Sequence, residues 1–234
     1  MNEKNNEKNN ENKNDNKNDN KNSDLKEWEL EYSQFGVDSI YQYIQDMAVK
    51  YNLSQTLEAL PYVCRMHEGQ YRKGECKLPY SIHPLTVAAH ALALHIIDDV
   101  VIATSLCHDI CEDCKDENGN RISANDLPIG DEAKAAVALL TKKKRKDFVK
   151  KEYYDNIQNN QVAMIVKVLD RCHNISKMAT GFSKERINGY IAETEQYVFP
   201  LIDIIEKNYP EYKEKMFVIR YHMLAVMESL KRYV

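Results

Sequence analysis

Apolar positions along most of the chain recur with the period of an α-helix. From Leu25 onward they return every three to four residues, and no stretch sustains the two-residue alternation of a half-buried strand. Only 7 glycines and 6 prolines interrupt the 234 residues. The pattern therefore predicts an all-α fold, which begins with a clear helix over residues 37–51 and closes with long amphipathic helices.

Prolines and capping residues divide this pattern into separate helices. We place Pro61 in the first turn of the second helix, where its missing N–H would have no intrahelical partner. Pro84 opens a helix that runs to about Ile97. Further helices are predicted over these ranges: 98–113, capped by Asp98 or Asp99; 131–140; a stretch interrupted near 159–160 and ended by Gly181; 183–207, capped by Ser183; and a last helix opened by Pro210.

The beginning of the chain differs from the rest in composition. Residues 1–22 are almost entirely Asn, Lys, Glu and Asp. Such a segment has too few apolar groups to offset the entropy lost on ordering. We therefore expect a disordered tail over residues 1–22, followed by one domain over residues 23–234.

Net charge and hydropathy narrow the range of partners. The formal net charge of −4 predicts no general attraction to nucleic acid or to an acidic membrane. No apolar stretch is long enough to span a bilayer, and the N-terminus lacks the apolar core of a signal peptide. We therefore expect a cytoplasmic protein that acts on neither nucleic acid nor membrane.

Three of the 6 cysteines, Cys107, Cys111 and Cys114, lie at helical spacing. A structural zinc cluster is one interpretation of this spacing. The favoured interpretation is burial as reduced thiols, because Cys107 and Cys111 have apolar neighbours and a cytoplasmic chain keeps its thiols reduced.

The segment 103–113 combines an apolar run with four groups that can carry chemistry. His108 and Asp109 lie inside the run, and Glu112 and Asp113 follow within one helical turn. Imidazole and carboxylate together suit a divalent ion such as Mn²⁺, Fe²⁺ or Zn²⁺. The two remaining carboxylates could orient a water or accept its proton. The alternative is a helix with a solvated acidic end, although acidic groups in a last turn oppose the helix dipole.

Three segments, taken in order, resemble the HD-domain phosphohydrolases, and more narrowly the hydrolase domain of RelA/SpoT homologues and the small alarmone hydrolases. They are Arg72-Lys73…Pro79-Tyr80…His83-Pro84, Leu106 through Asp113, and Lys167 through Asn174, with a weaker match over Tyr190 to Leu201. The resemblance covers roughly residues 37–205 and implies an HD-domain helical bundle. The loop from Arg72 to His83 is longer than in the bifunctional enzymes, and nothing after residue 205 resembles their synthetase domain.

The resemblance also implies a metal site. One divalent ion, with Mn²⁺ as the expected metal, would be held by His83, His108, Asp109 and Asp170. Glu112 and Asp113 would then act on the nucleophilic water. For His173, three residues after Asp170, packing or contact with a ligand is expected rather than metal ligation.

The substrate implied by the resemblance is a phosphorylated nucleotide. Arg72 and Lys73 would contact it, and Asn174 would lie near the ribose. Lys142, in the basic run 142–146, either meets a 5′-phosphate or belongs to a solvated surface. The expected reaction releases pyrophosphate from the 3′ position of guanosine 3′,5′-bis(diphosphate). The alternatives are the 2′-phosphate of NADPH or a nucleoside monophosphate as substrate, or a non-catalytic nucleotide-binding module.

Overall fold

The computed structural model describes residues 27–72, 78–142, 146 and 148–232, with side chains from residue 36 onward except at 180–181. The predicted tail over residues 1–22 lies outside this part of the chain. Within it, every extended regular segment is helical, which confirms the all-α prediction. The α-helices are α1 Glu27–Tyr51, α2 Ser54–Met66, α3 Ile82–Ala93, α4 Asp99–Cys107, α5 Ile110–Asp113, α6 Asp131–Leu140, α7 Lys150–Ile157, α8 Gln161–Gly181, α9 Lys184–Glu193, α10 Phe199–Asn208 and α11 Lys213–Leu230. None of these described helices is both long enough and apolar enough to cross a membrane.

Helix α8 forms the centre of the bundle. It packs against α3, α4, α6, α10 and α11. Residues 162–173 are all buried, so this part of α8 is enclosed on every side. Asp170 lies within this buried run, and its carboxylate is therefore in the interior rather than at the surface.

Helices α1 and α3 end in the same type of turn. Asn52 and His95 both adopt φ of +56°, in the left-handed region. After α3, the N–H of His95 donates to Leu92 O at 3.0 Å and the N–H of Ile96 donates to Ala91 O at 2.9 Å. The helix therefore ends at Ala93, and its predicted extension to Ile97 is wrong. Glycine, the usual signal for this turn, is absent at position 95.

The predicted position of Pro61 is also wrong. Helix α2 begins at Ser54, so Pro61 lies inside it rather than in its first turn. Pro61 is exposed, which leaves water free to satisfy the carbonyl that loses its intrahelical donor.

The stretch from Ser183 to Asn208 is interrupted, although one continuous helix was predicted to residue 207. Ser183 caps α9 as expected, through its side chain and the N–H of Arg186. A π-helical segment, Thr194–Val198, then separates α9 from α10. Pro200 lies just after this segment, and a wider turn accommodates a ring that would clash with the carbonyl four residues earlier.

The predicted helix over residues 98–113 is broken where the chemistry lies. Asp98 caps α4, since its side chain accepts the N–H groups of Val100 and Val101. Helix α4 ends at Cys107 and α5 begins at Ile110, so His108 and Asp109 form the turn between them. Both residues keep roughly helical backbone angles, and their side chains border the same space, with Nε2 of His108 3.3 Å from Oδ1 of Asp109.

Cys107, Cys111 and Cys114 are buried, and burial raises the pKa of Cys107 to about 12. Among the described residues, the group of side chains spaced to hold a metal includes none of these three. All three are free thiols, and the thiol of Cys114 donates to the carbonyl oxygen of Met66 at 3.3 Å.

Candidate metal centre and nucleotide site

Three separate parts of the fold bring candidate metal-binding side chains to one buried space. His83 comes from the first turn of α3, His108 and Asp109 from the turn before α5, and Asp170 from α8. The Nε2 atom of His83 lies 3.3 Å from Nε2 of His108, 3.2 Å from Oδ1 of Asp170 and 3.3 Å from Oδ2 of Asp109. One donor atom each from His83, His108 and Asp170 lies within 4.8 Å of the others. Asp109 borders the same space.

The chemistry of this group fits a divalent cation. Two imidazole nitrogens and two carboxylates form a mixed set suited to first-row transition metals. His83 and His108 are 1% and 4% exposed, so the carboxylates beside them are largely removed from water. Burial opposes a charge on His108, but Asp109 and Asp170 raise its pKa to about 9. The site therefore attracts positive charge.

The orientation of His108 is set by the backbone. Its Nδ1 lies 2.7 Å from the carbonyl oxygen of Ser105, which can only accept a hydrogen bond. The proton of neutral His108 therefore belongs on Nδ1, and Nε2 is left bare toward the metal-binding space.

Tyr80 links the metal-binding group to a candidate catalytic carboxylate. Its hydroxyl oxygen lies 2.7 Å from Oδ2 of Asp109 and 2.8 Å from Oδ2 of Asp113. The single hydroxyl proton can be donated to only one of them at a time. Burial and the two carboxylates raise the pKa of Tyr80, so it remains a neutral phenol. Tyr80 was assigned no role from the sequence, although it lies three residues before His83 in a segment that carried the resemblance.

Glu112 is turned toward a different partner. Its Oε1 accepts the backbone N–H of Lys142 at 2.7 Å, and its Oε2 lies 3.6 Å from the Lys142 ammonium. This contact ties α5 to the segment after α6. Glu112 and Asp113 thus flank the site with separate hydrogen-bond partners.

The candidate nucleotide-contacting residues form a chain that reaches the metal-binding group. Arg72 donates to Oδ1 of Asn174 at 2.9 Å, and the amide nitrogen of Asn174 donates to Oδ1 of Asp170. The Arg72 guanidinium also lies over the Tyr80 ring, 5.3 Å from its centroid. An antiparallel bridge holds this segment, with the N–H of Arg72 donating to Leu78 O at 2.8 Å. Lys73 lies outside the described residues.

Comparison with known proteins finds sequence similarity to two groups of proteins. The sequence is 30% identical over 159 residues to the GTP pyrophosphokinase rsh of Brucella melitensis, covering 64% of this chain and 20% of that protein. It is 27% identical over 155 residues to human guanosine-3′,5′-bis(diphosphate) 3′-pyrophosphohydrolase MESH1, covering 62% and 83% of the two chains. The chain is a homologue of the Rsh and MESH1 proteins. It spans about a fifth of the length of the Rsh proteins it matches.

One solved structure has a fold similar to that of this chain. The structure, described as a metazoan orthologue of SpoT that hydrolyses ppGpp, superposes with a TM-score of 0.53 at 21% identity, over 67% of this chain and 96% of that chain. No family model matches the chain. The resemblance inferred from three sequence segments is confirmed by the Rsh and MESH1 relatives.

Lys167 is a charged residue of the site that sequence reasoning missed. It is buried, and its ammonium lies 3.0 Å from Oδ2 of Asp170. Burial alone would raise the pKa of Asp170, but Lys167 and the two histidines hold it well below its usual range. A lysine inside the apolar run 162–169, three residues before an aspartate, was the available signal.

Behind the site, Arg171 forms a second buried polar cluster that was not anticipated. Its guanidinium donates to Oε1 of Glu193 and, at 3.0 Å, to the hydroxyl of Tyr154. Lys150 lies 2.7 Å from the other oxygen of Glu193. The Tyr190 ring lies 3.9 Å from the guanidinium carbon. The cluster joins α7, α8 and α9 at the position next to Asp170.

Proposed function

We propose that this protein is a metal-dependent phosphohydrolase that removes pyrophosphate from the 3′ position of guanosine 3′,5′-bis(diphosphate). The observation that carries the proposal is the convergence of His83, His108, Asp109 and Asp170 on one buried space. The printed name of MESH1 gives this activity for the mouse and human relatives. We do not propose the pyrophosphokinase activity for which the Rsh proteins are named.

His83 and His108 would hold the ion through Nε2, together with carboxylate oxygens of Asp109 and Asp170. Mn²⁺ is the ion that we propose, and when bound it would supply Lewis acidity toward a phosphoryl oxygen and lower the pKa of a water. The short separations between the four side chains support this assignment, because imidazole nitrogens and carboxylate oxygens that meet at one space form a donor set suited to a divalent ion.

Glu112 and Asp113 would orient the attacking water and take up its proton. The Tyr80 hydroxyl lies within hydrogen-bonding distance of both Asp109 and Asp113. This shared contact keeps the Asp113 carboxylate beside the metal-binding group. Glu112 is steadied by Lys142 on the opposite edge. Attack of water on the 3′-diphosphate breaks its bond to the 3′ oxygen, releases pyrophosphate and leaves a 3′-hydroxyl.

Arg72, Lys73, Lys142 and Asn174 would bind the nucleotide. The planar guanidinium of Arg72 suits stacking on a base, and the exposed ammonium of Lys142 suits a 5′-phosphate group. Asn174, one turn beyond Asp170, would meet the ribose. Because Arg72 and Asn174 bond each other in the ligand-free chain, a nucleotide that binds both would exchange that contact for its own.

A product-resolved screen with Mn²⁺ tests this function. Purified full-length protein is incubated separately with guanosine 3′,5′-bis(diphosphate), NADPH and nucleoside monophosphates, and the products are separated. We expect guanosine 5′-diphosphate and pyrophosphate in equal amounts from the first substrate. An Asp109→Asn variant prepared in parallel controls for contaminating phosphatases. Release of phosphate from NADPH or a monophosphate instead, or binding without turnover, would contradict the proposed substrate.

A further inference from the structure

The two ring nitrogens of His83 face different surroundings. Nε2 points at the other metal-binding side chains, 3.2 Å from Oδ1 of Asp170. Nδ1 lies 2.6 Å from Nδ1 of His173. At that distance one of the two Nδ1 atoms donates a proton and the other accepts it. Which of the two Nδ1 atoms carries the proton decides whether Nε2 of His83 is free to bind a metal.

His108 provides the comparison within the same site. In neutral His108, the carbonyl of Ser105 holds the proton on Nδ1 and leaves Nε2 bare. His83 lies in the first turn of α3, and its Nδ1 faces a side chain rather than a carbonyl. The Nδ1 partner of His108 is therefore a backbone carbonyl, whereas the Nδ1 partner of His83 is the side chain of His173.

The placement of His173 suits that task. It is 4% exposed and lies one turn beyond Asp170 on α8, so one rigid helix carries both a metal-binding carboxylate and the partner of His83. The centroids of the His83 and His173 rings are 4.8 Å apart, and the His90 ring meets His173 edge-on at a centroid distance of 6.4 Å. The imidazole of His173 thus contacts two neighbouring rings.

We infer that His173 is a positioning residue that accepts the Nδ1–H of His83 and so keeps Nε2 of His83 bare and directed at the metal. His173 is absent from the group of described side chains spaced to hold a metal, and its Nδ1 faces His83. The inference rests on the proposed metal site and adds the residue that prepares one of its ligands. Hydrogen-bond partners of this kind typically change metal affinity by about 10- to 100-fold when removed.

A matched pair of variants separates acceptance of the hydrogen bond from packing. His173→Asn retains an acceptor near the position of Nδ1, whereas His173→Leu has a similar volume and no acceptor. Mn²⁺ is titrated calorimetrically into metal-free, full-length protein without nucleotide. We expect His173→Leu to bind Mn²⁺ about 10- to 100-fold more weakly and His173→Asn to remain close to wild type. His90→Leu, which removes the ring that meets His173 edge-on and leaves the contact between His83 and His173, should also remain close to wild type.

Equal affinity in the Leu and Asn variants would overturn the inference. Thermal unfolding of each metal-free variant checks that it is folded. If His173→Leu does not fold, nitrogen–proton NMR of zinc-loaded wild type decides: the inference requires a proton on Nε2 of His173, and a proton on its Nδ1 would overturn it. Wild type that binds no metal would overturn the proposed metal site as well, whereas normal wild-type binding with unaffected variants would overturn the inference alone.

Discussion

At the scale of single residues, two adjacent carboxylates have different neighbours. Asp113 shares Tyr80 with Asp109, and Glu112 contacts Lys142. Neither Glu112 nor Asp113 is needed to complete the group of His83, His108, Asp109 and Asp170. Their proposed role lies in activating water.

Glu112→Gln and Asp113→Asn keep the shape of the side chains and remove their basicity. We expect both variants to bind Mn²⁺ and nucleotide like wild type, and kcat to fall by about 10²-fold or more, the scale expected for losing a general base. Metal titration and steady-state kinetics measure both effects. Near-normal kcat in both variants would contradict the role in water activation and indicate that Glu112 and Asp113 form a solvated helix end.

Arg72→Ala should change KM rather than kcat. It removes the guanidinium that contacts Asn174 and covers Tyr80, outside the metal-binding group. We expect KM to rise while the metal stays bound and kcat changes much less. Steady-state kinetics on guanosine 3′,5′-bis(diphosphate) provide the measurement, and unchanged KM would exclude Arg72 from nucleotide binding.

Lys167→Met should destabilise the metal-free protein. The substitution leaves Asp170 without the buried cation that neutralises it, and removal of one partner from a buried ion pair costs about 3–5 kcal/mol. Denaturant unfolding measures the loss. Lys151→Met is the control. Lys151 pairs with Asp155 on the surface, with 74% of its side chain exposed, so we expect little change in the free energy of unfolding. Equal stability of Lys167→Met and wild type would contradict the pairing.

At the scale of elements, the helices were predictable and their interruptions were not. Apolar periodicity located the helices, and Asp98 and Ser183 capped them as expected. Periodicity carries no signal for the end of α3 at a non-glycine residue or for the π-helical segment before Pro200. The break after Cys107 was also missed, because both turn residues keep roughly helical backbone angles. Tertiary packing decides these positions.

The cluster around Arg171 gives the junction of α7, α8 and α9 a measurable pH dependence. Burial alone would raise the pKa of Glu193, but Arg171, Lys150 and Tyr154 hold it at about 2. A carboxyl with a lowered folded-state pKa stabilises the fold above its unfolded pKa of about 4.3 and loses that effect as the pH falls toward 2.

Glu193→Gln tests this contribution. We expect wild type to exceed the variant in unfolding free energy by roughly 1–2 kcal/mol at neutral pH, after allowance for solvent screening. The difference should shrink between about pH 4.3 and pH 2. Urea unfolding at a series of pH values measures it, and a difference that does not change with pH would show that the ion pair is not its source.

At the scale of the whole molecule, the site exists only because distant segments meet. His83, His108 and Asp170 are far apart in sequence and are joined by the packing of α3 and α4 on α8. The family resemblance predicted this group, whereas spacing alone could not. The supporting contacts of Tyr80 and His173 required the fold, because each depends on the direction of a side chain across two elements. The contact of Lys167 with Asp170 lies within α8, where the three-residue spacing was the available signal.

The central claim is that one metal ion in this group makes the protein a pyrophosphohydrolase. Mn²⁺ is titrated into metal-free wild type, His108→Ala and Asp109→Ala, and bound Mn²⁺ and pyrophosphate release from guanosine 3′,5′-bis(diphosphate) are followed together. We predict that wild-type activity rises in proportion to occupancy and saturates at one ion per chain, and that both variants lose most of the bound ion and all detectable hydrolysis. Full occupancy in both variants, or pyrophosphate release without metal, would contradict the account.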